Sequence, residues 1–238
     1  MKVVILSAGL GIRMQKAFPQ IPKVMLPIGG KPLLEHTINH LKKQNFGEIY
    51  INLHYLPEKI KNYFGDGKKF GVKITYSFEP NILGTAGALK NFKKYLTETF
   101  VVIYGDVFTT LDFEKFLKFH RAKKSQATLL VHETDHPQDS DLAAIDKNNR
   151  IYRFYISPHK KPVTDTNLSS AAIYLLEPEI LKFLPKKTPS DFLEDFFPLL
   201  LKKKLRMYGY NSSEYTKDMG TSKRYKKVQE AFKKLKID

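Results

Sequence analysis

The chain contains no cysteine and no tryptophan among its 238 residues. Without cysteine there can be no disulfide staple and no thiolate metal site, and a reducing cytoplasm is the expected location. No apolar run approaches the roughly 20 residues of a membrane span. The N-terminus opens on a strand-like run and not on a signal peptide, so neither export nor a membrane partner is expected. Two glycine motifs are missing as well. Met14 stands where a dinucleotide-binding G-x-G-x-x-G needs its last glycine, and no G-x-x-x-x-G-K-[ST] occurs. Acidic residues are also scarce, 24 Asp+Glu against 40 Lys+Arg, for a net charge of +16. Half of that excess lies in residues 201–238, in runs such as Lys202-Lys-Lys204 and Lys223-Arg-Tyr-Lys-Lys227. No nucleic-acid recognition module accompanies this charge, so it reads as solvated helix faces and as an attractor for phosphate-rich substrates; no nucleic-acid partner is expected.

The most informative stretch is the first thirty-two residues. Lys2-Val-Val-Ile-Leu-Ser7 is a short apolar, β-branched run, read as a buried strand. Ala8-Gly-Leu-Gly-Ile-Arg13 follows at once, and Pro22-Lys23 lies nine residues beyond Arg13. A strand ending in a turn at Gly9 and Gly11 exposes backbone N–H groups to a ligand. Arg13 adds a planar fork and Lys23 a point charge, both suited to phosphate oxygens. The cargo these residues fit is a polyphosphate.

Further along, helix and strand patterns alternate. A helix is expected over 33–43, strands over 48–53 and 72–76, and a short helix over 58–64 between them. His36 and His40 share the spacing of a zinc motif, but Thr37 replaces its glutamate, so an ordinary helix is the better reading. Thr99-Phe-Val-Val-Ile-Tyr104 is the most continuous apolar run and belongs in the middle of a sheet, followed by helix 111–123 and strand 126–131. This alternation predicts an α/β fold: a Rossmann-like, mostly parallel, twisted sheet flanked by helices, with its ligand crevice at the strands' carboxyl ends. Gly9 and Asp106 both fall at such ends. After about residue 132 come a polar loop, a hairpin over 142–154 turning at 147–149, a strand over 170–175, and helices near 177–184, 190–203 and 222–236.

Gly9-Leu-Gly-Ile-Arg13, Pro22-Lys23 and Pro27-Ile-Gly-Gly-Lys-Pro32 together resemble the signature of the sugar-1-phosphate nucleotidyltransferases, the nucleotide-sugar pyrophosphorylases. The resemblance implies their fold with a small sugar-side β lobe, in one domain over 1–238. A nucleotide-binding half would cover about 1–132 and an acceptor half about 133–238. It implies that Leu6, Ala8, Gly9 and Gly11 hold the nucleotide, while Arg13 and Lys23 neutralise charge during transfer. Tyr104-Gly-Asp106-Val107 matches a Gly-Asp motif whose aspartate binds Mg²⁺, although Gly-Asp is also a common strand-end turn. Asp218-Met-Gly-Thr221 resembles a second motif whose aspartate completes the metal site, with Thr216 and Ser222 departing from the usual aromatic and proline. Leu83-Gly-Thr-Ala-Gly-Ala-Leu89 resembles the stretch lining the base, with Gly84 and Thr85 as contacts; Thr85 is expected to cap a helix over 86–95.

The sugar end matches worst. Where the family commonly has Glu-Lys-Pro, this chain has Ile156-Ser157-Pro158. In Asn167-Leu-Ser-Ser-Ala-Ala-Ile-Tyr174, Ser170 replaces an asparagine and Ala172 a glycine. Tyr104, Ser170 and Lys160 are the candidate acceptor contacts. The expected reaction joins an NTP to a sugar 1-phosphate. The altered sugar motif also admits a non-sugar acceptor such as phosphocholine with CTP, or a silent nucleotide-sugar sensor, and a homo-oligomer is left open.

Overall fold

The computed structural model describes residues 1–235. In chain order, β1 (Lys2–Leu6) leads into a one-turn α1 (Ile12–Gln15), then a two-residue ladder of β2 (Pro27–Ile28) with β3 (Lys31–Pro32). Next come α2 (Leu33–Lys43), β4 (Glu48–Leu53), α3 (Pro57–Phe64), β5 (Lys73–Phe78) and a short α4 (Leu89–Phe92). After β6 (Phe100–Tyr104) and β7 (Val107–Thr109) follow α5 (Phe113–Ala122), β8 (Ala127–Glu133), β9 (Leu142–Ile145) and β10 (Ile151–Tyr155). The chain continues through β11 (Leu168–Leu176), α6 (Phe197–Lys202), β12 (Met207–Asn211), β13 (Thr216–Asp218) and α7 (Ser222–Leu235). Lys236, the last residue of the expected C-terminal helix, lies outside the described residues. Among those described, no helix is long and apolar enough to cross a membrane.

The chain forms two compact units, each discontinuous in sequence. The first comprises Met1–Ile82, Ile103–Thr110 and the segment from Glu214 onward; the second comprises Leu83–Val102 and Leu111–Ser213. In the first unit β1, β4 and β5 run parallel, with Val4 opposite Tyr50 and Ile51 opposite Tyr76. Val3, Val4 and Ile5 are fully buried, as expected for a parallel strand covered on both faces. A further apolar cluster joins Met14, Leu26, Ile28, Leu33, Phe108, Met219, Tyr225 and Val228. His36 of α2 is buried, its Nε2 2.7 Å from the Ile28 carbonyl oxygen, and His40 Nε2 lies 2.9 Å from the Gln44 side-chain amide. Both rings have ordinary helix-packing partners.

In the second unit β12 pairs parallel with β8, while β8 with β11, β11 with β9, and β9 with β10 pair antiparallel. β11 carries a bulge between Ser170 and Tyr174, and Ala172 within it has φ +57°. That left-handed conformation favours glycine. Tyr174, Phe192, Phe196 and Phe197 form the aromatic core here, with ring centroids 4.9–6.1 Å apart.

Three expected helices take other forms. Thr85 does not cap a helix over 86–95: α4 spans only Leu89–Phe92, and the Thr85 hydroxyl and N–H both donate to Asp191 Oδ1, at 2.9 and 3.1 Å. The segment near 177–184 is a 3₁₀ helix, Pro178–Phe183. That near 190–203 begins as a π-turn, Phe192–Phe196, before α6. Pro198 lacks the N–H that a continuous α-helix would require there, so the helix restarts around it.

A buried polar chain in the second unit sets a pH response. His120 is 1% exposed; its Nδ1 lies 2.7 Å from Thr128 Oγ1 and its Nε2 3.0 Å from Glu177 Oε1. Burial pushes the imidazole below its ordinary value, outweighing the Glu177 carboxylate that raises it. Below about pH 6.5 the unfolded chain therefore takes up a proton that the folded chain resists, and stability falls as pH falls. Urea midpoints measured between about pH 7.5 and about pH 5.5 should drop less in His120→Gln than in the parent chain. Equal drops would contradict the role of this histidine.

Candidate active site

The site is assembled at the carboxyl end of β1. The Gly105 N–H donates to the Leu6 carbonyl at 2.8 Å, which brings the Tyr104-Gly105-Asp106 turn alongside the first loop. A Cβ on Gly105 would lie 2.6 Å from Ser7 Oγ and 2.9 Å from the Leu6 carbonyl oxygen, so only glycine permits this approach. The Ser7 N–H donates to Asn52 Oδ1 at 2.8 Å, and the Asn52 amide donates to Glu79 Oε1 at 2.9 Å, tying the loop to the ends of β4 and β5. Over the loop, Gly9 is exposed, and a Cβ there would meet no atom within 4 Å. Gly11, at φ +65°, opens α1, which carries Arg13.

Four predicted residues from three parts of the chain converge here. Lys23, on a 3₁₀ turn behind Pro22, forms an ion pair with Asp106 Oδ2. Asp218 ends β13, which pairs antiparallel with β7 so that Asp218 faces Val107. The Met219 N–H donates to the Asp106 carbonyl at 2.9 Å, so the two aspartates occupy neighbouring backbone positions despite lying more than a hundred residues apart. Gly220 marks the centre of the group. A Cβ there would be 2.7 Å from Asp218 Oδ1, 3.5 Å from Arg13 Nη2 and 3.6 Å from Lys23 Nζ. Buried apolar residues flank each charged one: Met14 and Met219 of the apolar cluster stand next to Arg13 and Asp218, and buried Val24 stands next to Lys23.

Sequence reading missed two parts of this group. Gly220 N–H donates to Asp218 Oδ1 at 2.8 Å, and Arg224 Nη1 donates to both Asp218 oxygens at 2.9 Å. The available signal was Thr221, just before α7: its Oγ1 accepts from the Arg224 N–H at 3.2 Å, as an N-cap does. Arg224 in the first turn can then reach back to the strand end. Burial raises the Asp218 carboxyl, but the Gly220 N–H, the Arg224 guanidinium and Lys23 outweigh it and hold the group below the usual aspartate value.

Asp106 and Asp218 thus bring hard carboxylate oxygens to one site, the first paired with Lys23 and the second beside Gly220. Among the described residues no three His, Cys, Asp or Glu side chains stand together as a self-sufficient metal cage. Two carboxylates that leave the remaining ligands to water and phosphate are the donor set Mg²⁺ takes in phosphoryl sites, so these residues fit that ion. With Arg13, Lys23 and Arg224 around them, the local balance is three cations to two anions, attractive to a polyphosphate.

The remaining predicted residues are placed as follows. Leu6, Ala8 and Tyr104 belong to the first unit, at or just beyond strand ends. Gly84, Thr85, Lys160 and Ser170 belong to the second. Lys160 is exposed, and Ser170 Oγ lies 3.4 Å from the Tyr174 hydroxyl. Asp141, another residue not singled out from sequence, accepts the Ser157 N–H at 2.9 Å through Oδ1 and the Ser170 N–H at 3.2 Å through its carbonyl. It therefore links the two stretches where the sugar-side motif departs from the family.

An α/β fold with a glycine loop at the end of its first strand and two aspartates at strand ends beside it defines a class, and the comparison is direct: the nucleotidyl transferase family matches residues 2–234, and the chain belongs to that family. It is 35% identical over 234 residues to a UTP–glucose-1-phosphate uridylyltransferase of Synechocystis sp., covering 92% of this chain and 60% of that protein. It is 32% identical over 228 residues to a D-glycero-alpha-D-manno-heptose 1-phosphate guanylyltransferase of Campylobacter jejuni, covering 94% of this chain and 97% of that protein. The crystal structure of HddC from Yersinia pseudotuberculosis, also solved complexed with GMP-PN, superimposes with a TM-score of 0.81 at 28% identity, covering 97% of this chain and 99% of that one. The chain spans 60% or slightly more or less of several longer relatives, such as a mannose-1-phosphate guanylyltransferase of Mycobacterium tuberculosis at 60%.

Proposed function

We propose that the chain transfers a nucleotidyl group from an NTP to a sugar 1-phosphate, releasing pyrophosphate and forming an NDP-sugar. The observation that carries this reading is the convergence of Arg13, Lys23, Asp106 and Asp218 about Gly220. Backbone N–H groups of the Gly9 and Gly11 loop cradle the phosphates, with Leu6, Ala8, Gly84 and Thr85 on the base side. An oxygen of the acceptor phosphate attacks the α-phosphorus in line, the bond to the bridging oxygen breaks, and pyrophosphate leaves with that electron pair. The protein contributes no nucleophile; its work is positioning and charge stabilisation. Arg13 neutralises charge on the phosphate chain, and Lys23 does so at the centre of the site. Asp106 and Asp218 would hold Mg²⁺, which when bound would neutralise phosphate oxygens as a Lewis acid.

For the acceptor we favour a hexose or heptose 1-phosphate, the class named for the Synechocystis and Campylobacter relatives. Tyr104, Ser170 and Lys160 are its proposed contacts. Ile156-Ser157-Pro158 lacks the family's glutamate and lysine, which keeps phosphocholine with CTP as the second reading. The intact charged residues speak against a silent sensor. The cytoplasm, where these substrates occur, is the matching compartment. Incubation of the chain with Mg²⁺, each common NTP, and a panel of sugar 1-phosphates plus phosphocholine tests the reading, with products identified by mass spectrometry. An NDP-sugar from one pair is expected; a CDP-choline product alone would overturn the acceptor assignment.

A further inference from the structure

Both carboxylates proposed above to hold the metal are engaged by cations of the chain. Lys23 pairs with Asp106, and Arg224 Nη1 straddles Asp218, 2.9 Å from each oxygen. The second arrangement is unusual in what it blocks. One Asp218 oxygen also accepts the Gly220 N–H at 2.8 Å, so three of the carboxylate's roughly four lone-pair sites are taken, and the guanidinium nitrogen lies where a metal ion held by both oxygens would sit. The backbone of Arg224 is held independently of its guanidinium tip. Its N–H is fixed by the Thr221 cap, and its neighbour Tyr225 is buried, with the hydroxyl donating to the Pro27 carbonyl at 2.7 Å. The Arg224 side chain itself is 32% exposed, so the guanidinium can swing away from Asp218 without dislodging α7. Asp218, meanwhile, keeps its orientation through Gly220 when the arginine leaves.

We propose that Arg224 is a positioning residue that occupies Asp218 in the metal-free protein and competes with the divalent cation for it. The inference rests on Asp218 being a metal ligand, as in the function proposed above. Its consequence is that the metal alone binds weakly, while metal arriving with a polyphosphate brings a new partner for the displaced guanidinium. Arg224 then joins Arg13 and Lys23 as a third cation facing the phosphates.

The test is a titration of the 238-residue chain with Mn²⁺ alone, the free ion being read by electron paramagnetic resonance. Arg224→Gln should bind Mn²⁺ about tenfold more tightly than the parent chain, the order expected for removing one charge-assisted hydrogen-bonded competitor. Arg224→Met, which keeps the aliphatic stem, serves as a second neutral variant and should behave alike. Arg224→Lys, which keeps the charge, should stay within about threefold of the parent. Asp218→Asn should weaken binding, and adding Arg224→Gln to it should give no gain. A merely structural arginine predicts the opposite sign, weaker binding on its removal. Unchanged or weaker binding in both neutral variants, with Asp218→Asn still weakening it, would overturn the competition and leave Asp218 as a ligand. No effect of Asp218→Asn would overturn the ligand assignment itself.

Discussion

Asp106→Asn is expected to lower the rate of nucleotidyl transfer by about 10²–10³-fold while barely changing the fold, the scale seen when one preorganised charge-stabilising group is removed. The substitution is isosteric, so the turn through Gly105 and the Met219 N–H bond to the residue 106 carbonyl are retained. What is lost is one of the two carboxylates and the anionic partner of Lys23. That ion pair is partly exposed, with 23% of the Asp106 side chain accessible, so its loss should cost no more than about 1 kcal/mol of stability. Steady-state rates together with thermal unfolding check both halves. A variant with near-normal rate would remove Asp106 from the chemistry, and one that unfolds would make it structural.

Gly84→Ala is expected to destabilise the chain by about 2–5 kcal/mol, combining the cost of a left-handed conformation with that of overpacking. Gly84 has φ +79°, and a Cβ there would lie 2.4 Å from the Ser190 carbonyl oxygen and 2.6 Å from its nitrogen. The obstruction is backbone and cannot turn aside. The same Ser190 carbonyl accepts the Ala86 and Gly87 N–H groups at 3.0 and 3.1 Å, and the Ser190 N–H donates to the Leu83 carbonyl at 2.9 Å. Moving Ser190 therefore breaks the clamp that holds the Leu83–Gly87 stretch in shape. For a chain of this size the melting temperature should fall by about 2–4 °C for each kcal/mol lost. A melting temperature equal to the parent's would contradict the clamp.

Both sites illustrate what the sequence made legible. The Lys2–Leu6 run, the Glu48–Leu53 strand and the 33–43 helix carry strong periodicity or continuous apolarity, and each stands where that pattern places it. The glycine loop and the Gly-Asp turn were readable because chemistry and strand ends coincide there. Other features depend on contacts between distant residues. The meeting of Asp106 with Asp218 needs β7 to pair with β13, two strands of three residues each, too short to show a period. Thr85 looked like a helix cap because Ser and Thr favour that position, but Asp191, 106 residues away, captures it instead. Arg224 sits in a lysine-rich segment whose bulk charge reads as solvated surface; only the Thr221 cap and the buried Tyr225 beside it turn the arginine toward Asp218.

The central claim is that these residues form a metal-assisted nucleotidyl transfer site. Pyrophosphate release from the purified chain, measured with and without Mg²⁺ across the common NTPs and a panel of sugar 1-phosphates, tests it most directly. The account predicts release that requires Mg²⁺, an NTP and one acceptor together, and that slows by about 10²–10³-fold when Asp106 is changed to asparagine. Failure of every pair, from protein that also shows no nucleotide-dependent rise in melting temperature, would contradict it.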